Sequence, residues 1–244
     1  AYNKGRFTLS AVNALLADVY LWDQQYQKCV EACDMVIKTN KYTLVNGDKV
    51  NNEVFYKGNS TESIFELQFD KDVWPRNIVV DACYGNAFDN NGVLSYPIYL
   101  MRGTSYCPFN FSAGANLESE KDLREVNSFS QTTSSLGTYQ IFKYSTTQVA
   151  ENSAGGYTPT FRSTASTVNW IIYRLSDVML MKAEALNQLP ETNDNKAEIM
   201  TLVNTTYLRS NPTADSLIIN NYSDKNALDK LVLRERHREL LFEG

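Results

Sequence analysis

The stretch Tyr173–Leu189, YRLSDVMLMKAEALNQL, decides how the rest of the chain is read. At helical spacing Leu175, Val178, Met179, Ala183, Leu186 and Leu189 fall near one face, which predicts an amphipathic helix. Ser176 and Asp177 suit its first turn, and Pro190 stops it directly after the last apolar residue. Ala183 and Ala185 are small enough to let a second helix come close. A second helix is predicted from about Asn195 to Arg209, making a hairpin over 171–210.

A matching hairpin is predicted near the start of the chain, over 8–38. Thr8 is a good N-cap. Ala11, Val12, Leu15, Leu16, Val19 and Tyr20 recur at intervals of three and four, and a break at Asp23–Gln25 separates them from a second helix over Tyr26–Lys38. A Tyr near the end of the first helix, then small residues at Cys29 and Ala32 and Val36 in the second, gives this pair a tetratricopeptide-like pattern. A third, closing helix is expected over 225–243, burying Leu228, Leu231, Val232, Leu240 and Leu241. In it Glu235, Arg236, Arg238 and Glu239 can pair three or four apart in an ion network, and His237 reads as solvated or packed.

Between the hairpins, periodicity fades over 41–169. Ser60–Phe69 mostly alternates, with Glu62, Glu66 and Gln68 between Ile64, Phe65, Leu67 and Phe69, and predicts a strand with one face buried. Tyr139–Tyr144 predicts another. The rest is rich in Gly, Asn, Ser and Thr, with rings scattered through it. A loop region this long in a compact domain is usually functional or disordered, and disordered segments are poor in aromatics. The expected fold class is therefore mainly α: tetratricopeptide-like helical hairpins forming a scaffold, with a long loop-rich insertion carrying a few short strands.

Composition excludes several functions. The net charge of -5 leaves no basic stripe for nucleic acid. No apolar run approaches the ~20 residues of a membrane-spanning helix. One histidine among 244 residues rules out a multi-histidine metal site and leaves only His237 for a catalytic triad. No G-x-S-x-G, G-x-x-x-x-G-K-[ST] or G-x-G-x-x-G occurs. No catalytic residue, metal ligand or cofactor is therefore expected. Carboxylate pairs of the kind glycosidases use occur in any acidic chain, for instance among Asp70, Asp72, Asp81 and Asp89, and an enzyme of that kind would show turnover of a bound glycan. Cys29 and Cys33, one turn apart on a predicted helix, read as small buried hydrophobes. Zinc would need two further ligands. Cys83 and Cys107 flank a loop-rich segment, where an oxidising compartment would permit a bridge.

The chemistry that remains is aromatic. Trp74, Tyr84, Phe88, Tyr96, Tyr99, Tyr106, Phe109 and Phe111 are interleaved with Asn77, Asn86, Asp89, Asn90, Asn91, Arg102 and Asn110. A ring buries the C–H face of a pyranose, and neighbouring amides and charges meet its hydroxyls. Trp74, Tyr84, Asn90, Tyr96, Tyr99, Arg102 and Tyr106 are the candidate ligand-binding residues. Their alternative role is to pin a long loop onto the helices.

Three phrases carry a family resemblance. R-x-x-D-V-x-L-M-x-A-E-A-L-N is present at Arg174, Asp177, Val178, Leu180, Met181, Ala183, Glu184, Ala185, Leu186 and Asn187. GRFTLSAVNALLADVYLWDQQYQKCVEACDMVI spans Gly5–Ile37, and RERHRELLFEG spans Arg234–Gly244. NSTESIFELQF (Asn59–Phe69) and KDLRE (Lys121–Glu125) agree as well. Together they resemble the SusD/RagB family, surface nutrient-binding lipoproteins of Bacteroidota. The resemblance implies a single SusD-like domain over 1–244, read as a fragment with its lipid anchor and first helices upstream of Ala1. It implies a non-catalytic outer-membrane protein that binds glycan at the cell surface and delivers it to a TonB-dependent SusC-type transporter. A peptide-binding RagB-like uptake protein and a helical-repeat interaction scaffold are the alternatives.

Overall fold

The structure is a computed structural model that describes residues 4–70, 72, 77, 79–80, 101–102, 122–124, 129–131, 138–141, 143–151, 153, 157–161, 167–222 and 224–243. The chain forms two compact units, one of residues 1–44, 61–66 and 172–244, the other of residues 45–60 and 67–171.

Five helices build the first unit: α1 (Leu9–Trp22), α2 (Tyr26–Ile37), α3 (Leu175–Gln188), α4 (Asn193–Ser210) and α5 (Lys225–Leu240). Three begin at side-chain caps. Thr8 accepts from the Ala11 N–H at 3.2 Å, Thr192 from Asn195 at 3.0 Å and Asp224 from Ala227 at 2.8 Å. Each cap satisfies an amide that has no partner inside the helix. α3 ends at Leu189, which is extended (ψ 166°) because the Pro190 ring excludes the helical conformation from the residue before it. The second hairpin helix starts two residues earlier than expected, at Asn193.

The two hairpins are far apart in sequence but stack directly. α1 packs on α2, α2 on α3, and α3 on α4 and α5. Small residues make the seams: Ala11, Ala14 and Ala17 from α1, Cys29, Ala32 and Cys33 from α2, Ala183 and Ala185 from α3. α3 also touches α1, so every other helix lies against it. This corrects the one-faced reading of Tyr173–Leu189. Leu180, Met181, Lys182 and Asn187 are buried along with the predicted stripe. A helix surrounded on all sides has no solvent face to leave polar. Its buried Lys182 is instead paired with Asp34 at 2.5 Å and with Glu198. Burial opposes that charge, but the two carboxylates raise its pKa above the usual lysine value.

Strand β1 (Ser63–Leu67) pairs with β7 (Trp170–Arg174) in a two-stranded sheet. The predicted strand is there with one face buried, and that face carries carboxylates beside Ile64. Glu62, Ile64 and Glu66 are buried, Phe65 is half-buried and Leu67 is exposed. Glu62 occupies an inward position because two arginines meet it, as described below, and Glu66 lies in the field of Lys4.

The described part of the second unit opens with a short 3₁₀ turn (Gly47–Lys49) and a π-helical turn (Asn51–Tyr56), the latter marked by the Lys57 amide donating to the Asn52 carbonyl at 2.9 Å. Strands β2 (Met101–Arg102), β3 (Phe129–Gln131) and β4 (Thr138–Ile141) form an antiparallel sheet in the order β2-β4-β3. β5 (Thr146–Glu151) and β6 (Tyr157–Phe161) form a hairpin with an irregularity between Thr146 and Gln148. The predicted strand over Tyr139–Tyr144 stops at Ile141, and Lys143–Ser145 turn. That turn carries the Tyr144 ring between Phe55 (5.0 Å, edge-on) and Trp170 (5.1 Å, stacked).

Candidate functional site

The first unit concentrates its chemistry around one buried cation. Arg174 ends β7 with no exposed side-chain surface to speak of and reaches three carboxylates. Its Nη1 donates to Glu62 at 2.5 Å and to Glu239 at 2.6 Å; Nε and Nη2 donate to Glu243 at 2.7 and 2.6 Å. Nη2 also donates to the Glu239 carbonyl at 2.9 Å, and Nη1 to the Ser176 hydroxyl. Arg209 of α4 adds a second cation, 2.5 and 2.6 Å from Glu239 and 3.3 Å from Glu62. Burial pulls the Arg174 pKa down, but the fields of Glu243, Glu239 and Glu62 outweigh it and raise it well above the usual arginine value. A bidentate fork is the geometry for which arginine is suited and lysine is not.

Beside it lies a second group. Arg236 of α5 sits 3.5 Å from Asp177 and 3.1 Å from Glu184, both on α3. Burial lifts the Asp177 carboxyl to about 6, against the pull of Arg236 and Arg174. Tyr173 donates to Asp18 of α1 at 2.8 Å, and burial together with that bond raises its phenol well above the ordinary value.

These groups tie helices together and do not offer chemistry to a substrate. Glu62 and Glu239 are fully buried, so they cannot serve as an acid–base pair on a glycan. The predicted ion network on α5 exists and reaches β7, α3 and α4: Glu239 meets Arg174 and Arg209, and Arg236 meets Asp177 and Glu184. Inward-facing Glu235 likewise accepts from Thr206 of α4 at 2.8 Å. Of the predicted apolar set on α5, Leu228, Leu231 and Val232 are buried, whereas Leu240 and Leu241 are only half-buried, since Glu235, Glu239 and Glu243 hold the inward positions. His237 is exposed. Cys29 and Cys33 are free and fully buried between α2 and α3, as their small-hydrophobe reading requires. Among the described residues no group of His, Cys, Asp and Glu could hold a metal ion, and no helix is long and apolar enough to cross a membrane.

Of the expected ligand residues, Trp74, Tyr84, Asn90, Tyr96, Tyr99 and Tyr106 lie outside the described residues, as do Cys83 and Cys107. The backbone of Arg102 is in β2, opposite Thr138 of β4. One of the interleaved amides is engaged structurally: Asn77 is buried, donates to the Val168 carbonyl at 3.0 Å and accepts from the Val80 amide at 3.2 Å. In the Asp122–Arg124 element, Arg124 Nε and Nη2 donate to the two Asp122 oxygens at 2.9 and 2.7 Å.

The sequence reasoning missed the convergence itself. Arg174 comes from the R-x-x-D phrase, Glu62 from NSTESIFELQF, and Glu239 and Glu243 from RERHRELLFEG. Three of the phrases that carry the resemblance supply members of one cluster, and no spacing rule connects residues so far apart in the chain.

Comparison with known proteins agrees on a family. The sequence pattern of the SusD family matches residues 18–244. SusD-like protein P38 of Formosa agariphila is 26% identical over 273 aligned residues, which cover 98% of this chain and 50% of that one. A SusD superfamily protein from Bacteroides vulgatus superposes with a TM-score of 0.68 at 23% identity, covering 99% of this chain and 48% of that one. One from Parabacteroides distasonis gives 0.69 at 23%, covering 99% and 51%. The chain thus spans about half the length of the curated relative it matches.

Proposed function

The chain belongs to the SusD family, and on that premise we propose that it is part of a non-catalytic cell-surface protein that binds glycan and passes it to a SusC-type TonB-dependent transporter in the outer membrane. The observation that carries this reading is the family match over residues 18–244, since the family works in glycan uptake beside such transporters. The stacked hairpins of the first unit act as a tetratricopeptide-like scaffold. The 41–169 excursion carries the ligand, through Trp74, Tyr84, Asn90, Tyr96, Tyr99, Arg102 and Tyr106. What supports this division of labour is that the scaffold's buried charges, Arg174, Glu62, Glu239 and Glu243, are turned inward on one another, while the excursion holds the rings and amides suited to a sugar. A lipid upstream of these residues anchors the protein at the surface.

Affinity electrophoresis against plant, mucin and storage polysaccharides tests the proposal. Retardation by a polysaccharide, lost in Trp74→Ala or Tyr99→Ala variants that keep their circular dichroism, with no reducing sugar released, is the expected result. Release of reducing sugar would replace it with an enzyme. Retardation that survives both substitutions would remove the site from these rings.

A further inference from the structure

Where α3 gives way to α4, the first unit forms a cavity of about 390 Å³, at the small end of the ~300–1,000 Å³ that ligand pockets occupy. Pro190 stops α3, Thr192 caps α4 two residues later, and Lys225 brings the start of α5 to the same space. Leu186 and Ile199 give the cavity an apolar wall, with Leu189 beside them. Set into that wall is Asn187, only 6% exposed. Its Nδ2 donates to the Lys225 carbonyl and to Asp229 Oδ1, both at 3.3 Å, which fixes the orientation of the amide. Oδ1 is thereby turned away from those two acceptors, and it accepts no hydrogen bond from a described residue. A buried acceptor on a cavity wall is met by water or by the donor of a ligand.

The charges on the same wall do not balance. Glu191 and Lys196 pair with each other at 2.6 Å. Lys225 is exposed and has no carboxylate partner among the described residues, so one ammonium is left over. Thr192 and Lys225 also place the first turns of α4 and α5 at the cavity, and the macrodipoles of these 18- and 16-residue helices favour negative charge there. No aromatic ring is among the described lining residues, so this is not the stacking chemistry of the excursion. The cavity combines an apolar wall, an acceptor in need of a donor and an unmatched cation. A neutral hydrocarbon would use the first alone, and an inorganic anion the last alone.

We propose that the cavity at the α3–α4 turn binds a small organic carboxylate with an apolar body and an N–H or O–H donor beside the carboxylate, of the hydroxy-acid or N-acylamino-acid type. The carboxylate meets the Lys225 ammonium, the donor meets Asn187 Oδ1, and the apolar body lies on Leu186, Leu189 and Ile199. This site is separate from the glycan residues proposed in the excursion and does not depend on them.

Isothermal titration calorimetry of the purified protein with three probes tests this. N-acetyl-leucine carries the carboxylate, the N–H and a branched apolar chain; its primary amide lacks the charge; isocaproate lacks the N–H. N-acetyl-leucine should bind with a Kd of about 1 mM, as befits so small a ligand, and the other two at least about tenfold more weakly. Lys225→Gln should weaken N-acetyl-leucine about tenfold and leave its amide unchanged; the side chain is exposed, so circular dichroism should show an unaltered fold. No binding of N-acetyl-leucine at about 20 mM overturns the proposal. So does equal binding of its amide, or undiminished binding in Lys225→Gln. Equal binding of isocaproate overturns it as well, because Asn187 Oδ1 would then take no part in recognition.

Discussion

Replacing Arg174 with methionine tests whether the cluster is held together by mutual charge compensation. Two arginines face three glutamates, so the group carries a formal charge of -1 before the change and -2 after it. Arg209 still reaches Glu239 and Glu62, but Glu243 loses both of its guanidinium bonds. Removing one partner from a buried ion pair costs about 3–5 kcal/mol, because the remaining charge stays buried. Methionine keeps most of the volume, so the cavity contribution is small. Urea unfolding followed at 222 nm reads the first unit, which holds the long helices, and linear extrapolation gives the stability. The expected loss is about 3–5 kcal/mol at pH 7.5. It should shrink by at least about 1 kcal/mol at pH 5, where orphaned carboxylates can take up protons. Glu239→Gln and Glu243→Gln in the Arg174→Met background should restore about half of the loss or more, since neutral groups do not carry the same desolvation penalty. A loss under about 1 kcal/mol, or no recovery on neutralising the glutamates, would refute the claim that these charges stabilise one another.

Asp177 makes a prediction of opposite sign. Its folded-state pKa of about 6 exceeds the ordinary carboxylate value, so the folded chain retains a proton that the unfolded chain has lost, and stability from this residue falls as pH rises through about 4 to 6. Asp177→Asn should gain up to about 3 kcal/mol at pH 7.5 and little at pH 4; equal effects at both would show that the carboxyl is not perturbed. Thr8→Ala should cost about 1 kcal/mol by orphaning the Ala11 amide, measured in the same unfolding assay. Ala14→Leu should cost about 1–3 kcal/mol by overfilling a seam where this residue is fully buried. In a Cys83→Ser/Cys107→Ser background, a thiol reagent should modify Cys29 and Cys33 only as fast as the chain unfolds, because both are buried and a hydrogen bond with Cys29, together with burial, holds Cys33 as a thiol. Reaction within the mixing time would show that the α2–α3 seam opens.

Local signals were readable from residues alone. Thr8, the break after Trp22 and the stop at Pro190 act through neighbouring backbone, and the structure places α1, α2 and the end of α3 accordingly. Signals that depend on distant partners were not. Glu62 and Glu66 looked like the outer face of a strand, because a lone carboxylate prefers water; Arg174, more than a hundred positions away, reverses that preference for Glu62. The one-faced stripe on Tyr173–Leu189 was too narrow for the same reason: a pattern of apolar residues shows where one neighbour lies, and α3 has four. For the candidate ligand residues, the rings and amides between Trp74 and Phe111 indicated a chemistry, not a geometry, since no periodicity ties those side chains to one another.

The stacking of α2 on α3 also bears on how such a protein can change over evolutionary time. Cys29 and Met181 touch across 152 positions of chain. The entropy of closing that span grows only with the logarithm of its length, about 0.6 kcal/mol for each doubling. The intervening segment can therefore be lengthened, shortened or rewritten while the helices keep their seams, provided Glu62 and Arg174 remain at its margins to meet the same carboxylates and guanidinia. Lineages that retain this handful of charges are free to diversify what lies between them with few changes in the frame.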